Sequence, residues 1–139
     1  MSTIERKRET DLSLLAHLYR RAGFGATRDQ LERCASRSYE ETVEFLLNPT
    51  EQFDVSEKEL DRYIIGESQP AMVGNWLYRM INSECQLQEK MTLFWHGVFA
   101  TGFAKNQHLM SSNNQIKMLR RLGMSDMSTI LLELSKDPA

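Results

Sequence analysis

The sequence predicts an all-α fold of about seven helices, and three observations carry that prediction. Apolar residues return at intervals of three and four along most of the chain. One helix-start signal, Ser or Thr followed three residues later by Glu or Gln, recurs at Thr27/Gln30, Ser38/Glu41 and Ser56/Glu59. No segment alternates apolar and polar residues at period two, as a half-buried strand does.

Residues 1–10 are polar and charged and are expected to fray. Thr10 or Asp11 caps a first helix over residues 11–22, on which Leu15, Leu18, Tyr19 and Ala22 face one way. Ser13, His17, Arg20 and Arg21 face the other. Gly23 is read as the left-handed stop, and Gly23-Phe24-Gly25 as a tight turn around an apolar plug. The three start signals then open three short helices, the second ended by Asn48-Pro49 and the third, with Leu60, Tyr63 and Ile64, by Gly66. Pro70 suits an early helical position. Val73, Trp76, Leu77, Met80 and Ile81 follow at i, i+3, i+4, i+7 and i+8, a buried stripe.

The next helix, residues 87–100, is predicted to be the centre of the fold. Leu87, Met91, Phe94, Trp95 and Val98 form one broad apolar stripe, and Leu93 and Ala100 lie on the other side beside Glu89 and His96. A helix apolar on most of its circumference is normally buried on most of it. Residues 101–114 lose the period and read as the longest loop, with His108 solvated in it. Ile116, Leu119 and Leu122 mark a further helix stopped by Gly123. Ser125 or Asp126 starts the last one, striped by Met127, Ile130, Leu131 and Leu134.

Composition narrows the function classes. A chain of 139 residues fills a single helical domain over residues 11–139, and 41% hydrophobic with 26% charged residues is ordinary for a soluble protein. A net charge of −2 argues against a general nucleic-acid binder. No apolar run approaches the ~20 residues of a membrane span, and no signal-peptide core follows Arg6-Lys7-Arg8. A cytoplasmic location is the default. Cys34 and Cys85 form no CxxC pair and read as reduced, partly buried thiols. The eight methionines sit mostly on helix stripes and read as core filler.

Candidate chemistry concentrates on Glu89 and His96. Seven residues apart, they share a helix face but stand roughly 10 Å apart along its axis, too far to bond to each other. They suit a buried polar latch, with the His17/Arg20/Arg21 face of the first helix as the obvious partner. The functional alternative makes them an acid–base pair, or metal ligands completed by a further carboxylate. No HExxH, CxxC or nucleophile elbow is present, so no metal site or cofactor is assigned. Arg20 and Arg21 fit a phosphate or carboxylate ligand as well as a latch to Glu89 or to Glu40-Glu41-Glu44. The Gly23-Phe24-Gly25 turn follows a helix C-terminus, so helix stop and plug is preferred over a phosphate cradle.

Three stretches, in this order, resemble a known family. The run from His17 to Gly25, HLYRRAGFG, is similar to an HLLRRAGFG opening motif. Glu89-Lys90-Met91-Thr92-Leu93-Phe94-Trp95-His96 is similar to an EKMTLFWH motif. Asn114-Gln115 through Leu122-Gly123 to Asp137-Pro138-Ala139 resembles the family's NQ, LG and DPA tail. Together they resemble the bacterial family catalogued as domain of unknown function 1800. The resemblance implies members of several hundred residues with no established activity. The family pattern continues past Asp137-Pro138-Ala139, so the chain is expected to be the N-terminal part of a longer domain. The family's WHNHF carries two histidines; here Val98 replaces the second, which weakens a two-histidine metal site. The function expected is a structural or interaction scaffold, partnered by the remainder of its own chain or another protein. The alternative is part of a hydrolase-like or metal-dependent enzyme using Glu89 and His96.

Overall fold

A computed structural model describes residues 3–48, 55–56, 60, 68–99 and 108–139, the side chains from residue 11 onward. Among the described residues it holds seven α-helices and no strand: α1 Thr3–Ala22, α2 Arg28–Cys34, α3 Tyr39–Leu47, α4 Gln69–Asn82, α5 Gln86–Val98, α6 Leu109–Leu122 and α7 Met127–Leu134. The all-α class predicted from periodicity is the class observed. None of the described helices is long and apolar enough to cross a membrane.

Local chemistry explains most helix starts. Thr27 and Ser38 each form a reciprocal capping box, the first with Gln30 and the second with Glu41. Their hydroxyls accept from the third-residue amides at 3.3 and 3.0 Å, and the returning side chains accept from the cap amides at 2.8 and 2.9 Å. Ser68 caps α4, with Pro70 in its first turn, and Asp126 caps α7. The Thr129 hydroxyl and amide hold the Asp126 carboxyl below the usual carboxylate range. The third predicted short helix, after Ser56, lies mostly outside the described residues; Leu60 N–H donates to Ser56 O at 3.2 Å, as a helix there requires.

Two starts differ from the sequence reading. Helix α1 begins at Thr3, ahead of Asp11, because residues 3–10 are rich in Glu, Arg and Lys, which are good helix formers. Helix α6 begins at Leu109, inside the stretch read as loop. His108 is the reason: its Nδ1 accepts from the Ser111 amide at 3.2 Å and bonds the Ser111 hydroxyl at 2.8 Å. An imidazole thus does the work usually given to Ser, Thr, Asp or Asn. His108 is exposed, as expected, yet it caps a helix.

Helix α5 packs against α1, α3, α4 and α6. Its apolar stripe is only partly covered, with Leu87, Met91 and Trp95 half-buried and Phe94 and Val98 exposed. The covered residues are Gln86, Glu89 and Thr92, at i, i+3 and i+6, whereas Leu93, Phe94 and Val98 are exposed. Helix α4 shows the same rotation. Its covered residue is Arg79, which donates to Val55 O at 2.6 Å, and Val73, Leu77 and Ile81 of the predicted stripe face outward. Both helices turn toward hydrogen-bonding partners, because a buried polar group without one costs more than an exposed apolar group. The apolar core comes instead from Leu15, Tyr19, Leu46, Leu60, Ile116, Leu119 and Ile130.

Candidate functional site

Helix α5 is the meeting place of the three motifs read from the sequence. Its N-terminal turn faces the end of α1. The Lys90 ammonium donates to two carbonyls there, Arg20 O at 2.9 Å and Gly23 O at 2.7 Å. The last carbonyls of a helix have no intrahelical donor and carry the negative end of its dipole, so a cation is the fitting cap. Beside it, the Gln86 amide uses both ends. Oε1 accepts from Phe24 N–H at 3.1 Å, and Nε2 donates to Ser83 O at 2.8 Å and Met80 O at 3.2 Å.

These contacts explain the glycines of the turn, and they revise its reading. Gly25, at φ 107, is the left-handed residue; Gly23 is not. Gly23 is glycine for space, since a Cβ there would sit 2.7 Å from Gln86 Cβ. Phe24 is no plug: its amide is held, and its ring is half exposed.

The opposite side of α5 faces the end of α6. Glu89, with 0% of its side chain exposed, accepts from Arg120 Nε at 2.7 Å and from Arg120 NH2 at 3.3 Å. This is the two-pronged guanidinium–carboxylate geometry, and both carboxylate oxygens are engaged. One residue earlier, Gln88 Nε2 donates to Arg120 O at 3.1 Å. Two turns on, Trp95 Nε1 donates to Gly123 O at 2.8 Å. A side chain at position 123 would press on that indole, because a Cβ there would lie 3.2 Å from Trp95 Cδ1.

Glu89 pairs with the guanidinium of Arg120, not with the basic face of α1 expected from the sequence. His17, Arg20 and Arg21 are all exposed, and α1 reaches α5 through the carbonyl of Arg20. Arg120 had a readable signal: it lies four residues after Ile116 and next to Leu119, on the buried edge of α6. Gln86 and Lys90 had a weaker one: both are polar donors in the first turns of α5, and the free carbonyls they reach belong to the C-terminal ends of α1 and α4.

His96 stands apart from Glu89. Its ring meets Trp76 edge-to-face at 5.1 Å between centroids. Nδ1 is buried without a hydrogen-bond partner, as are Trp76 Nε1 and Asn75 Oδ1. Burial lowers the His96 pKa, which favours the neutral imidazole. Among the described residues no three His, Cys, Asp or Glu side chains gather where a metal ion would be held. Cys34 and Cys85 are not joined in a disulfide, and the Tyr19 hydroxyl lies 3.1 Å from Cys34 Sγ. Burial first, and then that thiol, raise the Tyr19 pKa.

A family model described as "Protein of unknown function (DUF1800)" matches residues 17–139, and the chain belongs to that family. Comparison with curated proteins and with solved structures gave no match.

Proposed function

We propose that this member of the family is a helical scaffold, which holds its motifs together and offers apolar surface to a partner. That partner is the remainder of its own chain or another protein. The observation that supports this reading is the mutual engagement of the motif side chains. Glu89, Lys90 and Trp95 each bond to another motif's backbone or side chain. A general acid or base needs a free lone pair or proton aimed at a substrate. Glu89 has both oxygens on Arg120 and no exposed surface.

The surface available to a partner lies on α5 and α7. Phe94 and Val98 are exposed on the first, Met127, Leu131 and Leu132 on the second. Grouped apolar exposure of this kind marks interaction surfaces more often than it marks chance.

A second reading, a metal-dependent or hydrolase-like site using Glu89 and His96, is favoured by one observation: the unpartnered Nδ1 of His96. Melting curves with and without zinc separate the two. The scaffold reading predicts the same Tm shift, or none, in the wild type and in His96→Ala. A zinc-dependent rise in the wild type that vanishes in His96→Ala would establish the second reading instead.

A further inference from the structure

A cavity of about 740 Å³ opens where the turn after α1, the end of α2, α3 and α4 come together. Its volume falls within the 300–1,000 Å³ range typical of small-molecule sites. We propose that it binds an amphipathic organic monoanion, a carboxylate carried on an apolar body. One wall is apolar, formed by Phe24, Phe45, Leu77, Met80 and Ile81. Leu77 is 51% exposed and Ile81 75% exposed, so the α4 wall presents apolar surface to this space.

The rim supplies the charge. Arg33, in the last turn of α2, and Arg37, just beyond it, both line the cavity, and Glu84 is the one acidic residue among the described residues that does. Among the described lining residues, two cations against one anion leave a single positive charge, the complement of a monoanion. The Arg37 guanidinium carbon sits 5.3 Å from the centroid of the Phe45 ring, which places one cation directly on the apolar wall. A guanidinium offers a planar pair of donors that matches a carboxylate, a fit that an ammonium lacks. The remaining titratable lining groups among the described residues, Tyr19 and Cys34, are hydrogen-bonded to each other.

The entrance is held firmly. Gln86 and Lys90 fix the turn backbone from α5, and Gly25 supplies the left-handed bend after Phe24. A half-exposed phenylalanine on a pinned turn is a preorganised contact for an apolar ligand. This site is separate from the scaffold contacts on the α6 side of α5 and stands or falls independently of them.

Isothermal titration of the whole chain with monomeric dodecanoate tests the proposal. Saturable one-to-one binding is expected. Arg33→Ala and Arg37→Ala should each weaken it about tenfold, the loss of one charge-assisted contact. Ile81→Asp changes an exposed residue and should abolish binding while circular dichroism remains that of the wild type. Acetate, the head group alone, and dodecyltrimethylammonium, the same tail with the opposite charge, should show no saturable binding. Absence of dodecanoate binding overturns the proposal. So does binding that Arg33→Ala and Ile81→Asp both leave unchanged, or equal binding of the cationic amphiphile.

Discussion

From Gln86 to Thr92, α5 buries polar side chains and gives each a partner. From Leu93 onward it exposes apolar ones and leaves His96 Nδ1 without a partner. Trp95 is the exception, tied to Gly123 O. The first half is joined to α1 and α6 by directional bonds, which fix rotation and register as well as proximity. The second half is left with surface. The difference teaches that this fold is positioned by its polar residues, and that apolar area along α5 is available for something else.

The comparison breaks most sharply at Glu89. Replacing it with Ala leaves the Arg120 guanidinium, about one-eighth exposed, without its carboxylate; chemical denaturation should show a loss of about 3–5 kcal/mol. Gly23→Ala attacks the same half from the α1 side. Its Cβ would meet Gln86 Cβ, near the backbone of α5 and unable to swing away, and the expected loss is about 1–3 kcal/mol.

In the second half the effects should be smaller. His96 has a folded-state pKa below its unfolded value, so between the two values the unfolded chain binds more protons. Stability should therefore fall as pH drops through about 6.5 toward the folded value, and His96→Phe should flatten that slope in a series of melts. Smallest of all, Phe94→Ser should leave unfolding free energy within about 0.5 kcal/mol of the wild type, since the ring is 54% exposed. A large loss there would mean that the outer face of α5 is part of the core after all.

Much of this architecture was legible in the sequence. The capping boxes at Thr27 and Ser38, the Gly25-containing turn and the Ile116/Leu119 and Ile130 core positions are local patterns, and local patterns are read well from one chain. Helix rotation was not. Val73, Leu77 and Ile81 look like a buried stripe until Arg79 finds the Val55 carbonyl, a bond across 24 residues that no periodicity records. The identity of the Glu89 partner failed for a related reason. Arg20, Arg21 and Arg120 are all chemically adequate, and only the packing of α6 on α5 decides among them. The His108 cap escaped because imidazole is rare in that role.

Whether the Glu89–Arg120 pair is a structural latch is measured directly by a double-mutant cycle. Unfolding free energies would be determined for the wild type, Glu89→Ala, Arg120→Ala and the double variant. If the latch is real, each single variant loses several kcal/mol and the double loses little more than either, a coupling of about 2 kcal/mol or greater. If the two losses simply add, Arg120 does not hold Glu89, and the carboxylate must be sought in some other role.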